Sequence, residues 1–138
     1  MGDENANVET LKKSYQRWAE SRGKDTEAWT QICAPDVCLM SLAQGRSGTE
    51  YLRTFESRDA LTEYFGGLAR DWEMLSYDMN EYIAQGDRVV VNGHCEWKHR
   101  KTGKVVSTPK VDLWRFANGK VSDYAEFYDT AQVVEALS

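Results

Sequence analysis

The chain has 138 residues, the size of one ordinary domain, and 17 Lys and Arg against 22 Asp and Glu leave a net charge of −5. That balance excludes a nucleic-acid backbone or an anionic membrane surface as the main partner. Hydrophobic residues at 41 %, with five Trp, seven Tyr and four Phe, exclude a disordered chain. No apolar run approaches the ~18 residues of a membrane span. The opening Met1-Gly2-Asp3-Glu4-Asn5 has neither the charge nor the apolar stretch of an export signal, so a cytoplasmic location is expected. Cys33, Cys38 and Cys95 form an odd set without a C-x-x-C pair, and His94 and His99 fall on opposite faces of a strand. With no nucleotide-binding loop either, neither a metal nor another cofactor is expected.

In chain order, residues 1–6 read as a flexible N-terminus. Val8, Leu11, Tyr15 and Trp18 then follow helical spacing over about residues 7–21. Gly23 ends that helix, and a second, with Ala28, Trp29, Ile32 and Cys33 on its buried side, runs to Pro35. Val37 to Leu42 reads as a short strand and 43–56 as a mobile loop. Ser57 caps a third helix with Leu61, Tyr64, Phe65, Leu68 and Trp72 on one face. Beyond Trp72 the period falls to two. Turn signals at Gln85-Gly86-Asp87, Lys101-Thr102-Gly103 and Ala117-Asn118-Gly119 divide the rest into four long antiparallel strands. Asp129 with Gln132 caps a short C-terminal helix. Long strands twist, so the expected fold is an α+β cone: a curved antiparallel sheet with three helices in its concave face and a short C-terminal helix.

Side-chain parity sorts the strands. Val89, Val91, Cys95 and Trp97 share a face, in line with Val106, Thr108, Lys110, Asp112 and Trp114 on the next strand. A three-residue loop at Ala117-Asn118-Gly119 would place Asp112 opposite Tyr124 and Lys110 opposite Glu126. The inner face then holds Trp97, Trp114, Tyr124 and Tyr128 around one Lys and two carboxylates. In strand 73–84, Leu75, Tyr77, Met79 and Ile83 look inward, and a single bulge would reverse this. Val105, Val111, Leu113, Val121, Ala125 and Phe127 face outward on a sheet face no helix covers, which predicts a homodimer through that face.

Val111-Asp112-Leu113-Trp114-Arg115-Phe116 followed by Asn118-Gly119-Lys120-Val121 resembles the D-x-x-R-F…G-(K/R)-I hairpin of ketosteroid isomerases. The first helix with Tyr15 and the entry Ala34-Pro35-Asp36-Val37 match as well. The resemblance is to the nuclear transport factor 2-like superfamily, in its SnoaL-like and ketosteroid isomerase-like branch, and spans nearly all of 1–138 as a single domain. It implies a conical fold with a deep pocket and a dimer through the outer sheet face. It also implies that Tyr15 and Asp112 form an oxyanion hole, the isomerase pair that serves as the standard example of a carboxylic acid kept protonated by an apolar site. The isomerase's general-base aspartate falls on Ser41, whose hydroxyl cannot take a carbon-bound proton near pH 7. The ending Glu126-Phe127-Tyr128-Asp129 is similar to that of the epoxide hydrolase branch, but the Arg-x-Asp of that branch has no counterpart.

These residues imply a pocket lined by Tyr15, Trp18, Ser41, Trp97, Lys110, Trp114, Tyr124 and Tyr128 for a small, largely apolar, oxygen-bearing molecule. Such a ligand needs a cavity able to hold about ten carbons. Acid/base chemistry would fall to Asp112, Tyr15 and Glu126, giving a cofactor-free isomerase, dehydratase or cyclase. Glu126 serves as the base only where Lys110 opposite it does not hold it in a cross-strand ion pair, the structural role that ranks ahead of it. A non-catalytic ligand-binding or association module of the same fold stays open beside it.

Overall fold

A computed structural model describes residues 2–138. The first helix, α1 (Gly2–Glu20), lays Leu11, Ser14, Tyr15 and Trp18 against the sheet. It begins at Gly2 rather than near residue 7, so most of the segment expected to be flexible is its first turn. The short α2 (Glu27–Thr30) follows, buried through Ala28 and Trp29. Strand β1 (Cys33–Ser41) starts four residues earlier than the spacing predicts. Cys33 therefore belongs to a strand, and Pro35 lies within it. A proline is tolerated there because β1 is an edge strand and its missing N–H interrupts no inner ladder.

Residues 43–56 are not a loose loop. Ala43, Tyr51, Leu52 and Phe55 are buried, a 3-10 turn forms at Glu50–Leu52, and Phe55 exchanges two backbone hydrogen bonds with Leu39. Helix α3 (Leu61–Asp71) begins after a turn in which Ser57 Oγ accepts from the Ala60 N–H. Trp72 does not extend its face; it opens β2 (Trp72–Gln85), and its indole N–H donates to the Tyr51 hydroxyl at 2.7 Å. Strands β3 (Arg88–His99), β4 (Val105–Ala117) and β5 (Lys120–Phe127) complete the meander. Helix α4 (Thr130–Ala136) closes it, with the Asp129 side chain accepting from the Gln132 N–H. The sheet order is β1-β5-β4-β3-β2, antiparallel except for the parallel β1–β5 pair. The sheet curves without closing, and the helices fill its concave side. Among the described residues, no helix is long and apolar enough to cross a membrane.

The β3–β4 register is the one that parity predicts: Val89 faces Trp114, Val91 faces Asp112, Cys95 faces Thr108 and Trp97 faces Val106. The β4–β5 register differs by two residues. Asp112 lies opposite Glu126, and Trp114 opposite Tyr124. The turn is the two-residue Asn118-Gly119, with φ of 53° and 80°, followed by a bulge at the Arg115/Phe116 step. An even shift preserves facing, so Tyr124 and Glu126 still point inward. Val121 does not face outward; it is fully buried opposite Phe116.

Strand β2 carries two bulges, at Met74/Ser76 and Met79/Glu81. They turn Met74, Tyr77, Met79, Tyr82 and Ala84 toward the core, leave Leu75 outside it and expose Ile83. His99 is buried, its ring edge-on to Trp72 at 4.9 Å.

Where β2 bends, its backbone crosses Gly93 of β3. A Cβ there would lie 1.9 Å from the Asp78 carbonyl oxygen and 2.6 Å from Met79 Cα. Backbone atoms cannot swing aside as a side chain can. Gly93→Ala is expected to destabilise the fold by roughly 1–3 kcal/mol, the range for overpacking, read as a lower urea midpoint at unchanged slope.

Candidate functional site

Alternation along β4 sends Lys110, Asp112 and Trp114 to the concave side. Tyr124 and Glu126 join them from β5, Tyr15 from α1 and Tyr64 from α3. The result is a buried polar knot inside an aromatic shell. Side-chain exposure is 7 % for Lys110, 0 % for Asp112 and 5 % for Glu126. The Lys110 ammonium lies 2.6 Å from Asp112 Oδ1, 3.2 Å from Glu126 Oε1 and 3.0 Å from the Tyr124 hydroxyl. It also stands over the rings of Tyr77 and Tyr124 at 5.5 and 5.6 Å.

The Tyr124 hydroxyl is 3.0 Å from Asp112 Oδ1 and 2.9 Å from Glu126 Oε1. Its single proton can serve only one of them at a time. The Tyr15 hydroxyl donates to Asp112 Oδ2 and accepts from the Trp114 indole at 2.9 Å. The Tyr64 hydroxyl is 3.0 Å from both oxygens of Glu126. Ser41, fully buried, bonds the Tyr128 hydroxyl at 2.6 Å.

One ammonium faces two carboxylates, so the fully ionised knot would carry a buried negative charge. Burial raises the Asp112 carboxyl above its ordinary 3.8; Lys110 opposes this and Glu126 adds to it. Burial alone would lower Lys110, but Asp112, Tyr77 and Glu126 outweigh it and hold the ammonium well above its ordinary 10.5. Lys110 is therefore a fixed cation, not a nucleophile. The Tyr15, Tyr64, Tyr77 and Tyr124 hydroxyls are all raised, first by burial, and act as neutral donors.

Two cavities adjoin this knot. The first, about 80 Å³, reaches Lys110, Glu126 and Tyr128 beneath Trp72, Trp97 and Val133. The second, about 40 Å³, lies toward Trp29, Val37, Trp114 and Tyr124. Trp18, Tyr64 and Tyr77 line both. Neither alone reaches the volume a ten-carbon molecule needs, so in this conformation the cone is closer to filled, which counts against the expected ligand pocket and toward the association module. Of the residues expected at the site, Trp18, Trp97, Lys110, Glu126 and Tyr128 border the first cavity, and Trp114 and Tyr124 the second. Tyr15, Asp112 and Ser41 border neither.

Tyr64 and Tyr77 belong to this candidate site, although the sequence pattern leaves them among core positions. Their helix and strand parity shows that they point inward, but only the assembled fold brings the Tyr64 hydroxyl to Glu126. Among the described residues, no group of three or more His, Cys, Asp or Glu is placed to hold a metal ion.

Solved structures share this architecture. A crystal structure of an NTF2-like protein of unknown function from Burkholderia pseudomallei K96243 superposes with a TM-score of 0.82 at 23 % identity, covering 96 % of this chain and 98 % of that one. TerC, co-crystallised with polyporic acid, gives 0.76 at 21 % identity over 96 % and 98 %. A protein from Jannaschia sp. CCS1, named for a SnoaL-like polyketide cyclase, gives 0.76 at 20 % identity over 100 % and 95 %. At these identities the likeness is one of fold. No curated protein matches the chain. The sequence model of the SnoaL-like domain matches residues 11–124, most of the chain, and the protein belongs to that family.

Proposed function

We propose that the protein binds a small, largely apolar, carbonyl-bearing molecule and moves a proton at the carbon next to the carbonyl, as a cofactor-free isomerase, dehydratase or cyclase would. The observation that carries this reading is the charge count of the buried knot. Two buried carboxylates share one ammonium, and of the three groups Lys110 and Glu126 reach the wall of an aromatic cavity, an arrangement of the kind that clusters at functional sites. Polyporic acid in TerC and the cyclase name of the Jannaschia protein support the same ligand class.

Glu126 borders the cavity and is the base: its carboxylate takes the α-proton while the C–H electrons move into an enolate. Lys110, the cation at the same wall, stabilises the developing oxyanion. Asp112, held by Tyr15 and Lys110, is a positioning residue that exchanges protons with Glu126 through the Tyr124 hydroxyl. The resemblance puts Asp112 and Tyr15 in direct contact with the ligand oxygen. The hydrogen bonds favour Lys110 instead, because the Tyr15 proton is committed to Asp112. The test is deuterium exchange at the α-carbons of 2-tetralone, a two-ring enolisable ketone, followed by proton NMR. Exchange faster than in buffer is expected; exchange at the buffer rate would remove the acid/base reading and leave the association module.

A second copy of the chain is the proposed partner. Val111 and Phe127, paired across β4 and β5, are 38 % and 37 % exposed on the outer sheet face beside the Leu113–Ala125 pair, and Val105, further along β4, is 49 % exposed. Light scattering is expected to return twice the 15.8 kDa chain mass at micromolar concentration. Val111→Lys combined with Phe127→Lys should return it to the single-chain mass.

A further inference from the structure

A cavity of about 150 Å³ accepts one benzene ring. The two cavities beside the knot measure about 80 and 40 Å³, still short of that volume when joined, so a ring enters only if a side chain between them moves out and adds its own volume. A third cavity, about 240 Å³, is lined by Cys38, Met40, Leu113 and Ala125 and does not reach Lys110 or Glu126. Trp18, Tyr64 and Tyr77 form the dividing wall. Of these, Tyr64 is the one that stands on α3 and hydrogen-bonds the cavity-facing carboxylate, with its hydroxyl 3.0 Å from each Glu126 oxygen. Helix α3 is also a weak support. Gly66 and Gly67 follow directly after Tyr64 and Phe65, and glycine inside a helix is unfavourable relative to alanine. Gly67 is required where it is, because a Cβ there would meet the Tyr51 ring at 2.0 Å. Gly66 has no such reason: nothing lies within 4 Å of the Cβ it lacks. Two independent features, a hydrogen-bonded latch and an unforced glycine beside it, thus fall on the same short helix.

We propose that Tyr64 is a gate that selects ligands by size and by hydroxyl group: it swings out with α3, joins the two cavities into one, and yields its place on Glu126 to the hydroxyl of a planar two-ring phenol or enol. This rests on the reading that the ligand lies beside Glu126. The closed state satisfies Glu126 with the Tyr64 hydroxyl, so an entering molecule without a donor leaves a buried carboxylate short of one hydrogen bond. The gate therefore couples entry of the ligand to its carrying a hydroxyl for Glu126.

The test measures affinity and association rate for 2-naphthol and naphthalene, by calorimetry and by stopped-flow detection of the probe's emission. Wild type is expected to bind 2-naphthol at least roughly tenfold more tightly than naphthalene. Tyr64→Phe keeps the ring but loses the latch, so a larger fraction of molecules is open, and apparent affinity for 2-naphthol should rise by roughly tenfold or more. Gly66→Ala, which meets no clash and stiffens α3, should slow association several-fold. Equal or weaker 2-naphthol binding by Tyr64→Phe, an unchanged association rate in Gly66→Ala, no preference for the hydroxyl, or no binding of 2-naphthol at all would each overturn the gate. If these results hold while 2-tetralone shows no exchange, the acid/base reading falls and the gate stands. Exchange without any Tyr64 effect would remove the gate and leave the acid/base reading standing.

Discussion

Glu126→Gln is expected to slow 2-tetralone exchange by roughly 10²–10⁴-fold, the contribution usual for a positioned general base, without weakening the fold. Glutamine has nearly the same shape, so the Tyr64 and Tyr124 hydroxyls keep an oxygen to donate to. What changes is charge. The knot passes from two carboxylates around one ammonium to a single pair, Asp112 with Lys110 at 2.6 Å. A balanced buried pair is less costly than an unbalanced cluster, so the thermal midpoint should stay level or rise. Loss of exchange together with a stable or stabilised fold would mark Glu126 as a residue kept for chemistry. A variant that exchanges at the wild-type rate would remove Glu126 from the mechanism, and one that unfolds would assign it to the core.

Lys110→Met should be the most destabilising change at the site, by roughly 3–5 kcal/mol at neutral pH, because it leaves two buried carboxylates without their counter-charge. Methionine fills a similar volume, so a cavity is not the cause. The pH dependence identifies the mechanism. In the wild type the Lys110 ammonium is held above 10.5, so its contribution is complete below that value and is lost as pH rises through the folded one. Asp112 is shifted the same way, above 3.8, so stability is lost as pH rises from there through its folded value. Without Lys110 the Asp112 shift must grow. The deficit of Lys110→Met should therefore shrink as pH falls toward 3.8, as protonation removes the buried charge. Urea denaturation across that range measures this, and a deficit independent of pH would show that packing rather than charge was lost.

The facing of the site was legible wherever polar and apolar residues alternate cleanly. Along β4, Thr108, Lys110, Asp112 and Trp114 all point inward as parity requires, and β3 follows in register. The β4–β5 pairing came out two residues away because Asn118-Gly119 specifies a two-residue turn and a bulge beside it adds one more residue, a feature that depends on tertiary packing. Since the displacement is even, Glu126 still reached the site. Strand β2 lost its expected pattern at Leu75 and Ile83 because two bulges each reset the period, and bulges have no reliable composition. The segment 43–56 looked aperiodic, yet Tyr51 and Phe55 are large enough to require burial, and they tie it to α3 and β1. Tyr64 was visible as an inward residue. Its bond to Glu126, 62 positions away, belongs to the tertiary fold and to no local pattern.

Burial first, and then the charge of Glu126 beside it, raise the Asp112 carboxyl above its ordinary 3.8 against the pull of Lys110. Carbon-13 NMR of the Asp112 and Glu126 side-chain carboxyls, titrated from acid to neutral pH in the wild-type protein, tests it most directly. The account predicts that the Asp112 carboxyl titrates above 3.8, in a step that also shifts the Glu126 resonance through their shared Tyr124 and Lys110 contacts. An Asp112 resonance that titrates at or below 3.8, with Glu126 unmoved by it, would contradict it.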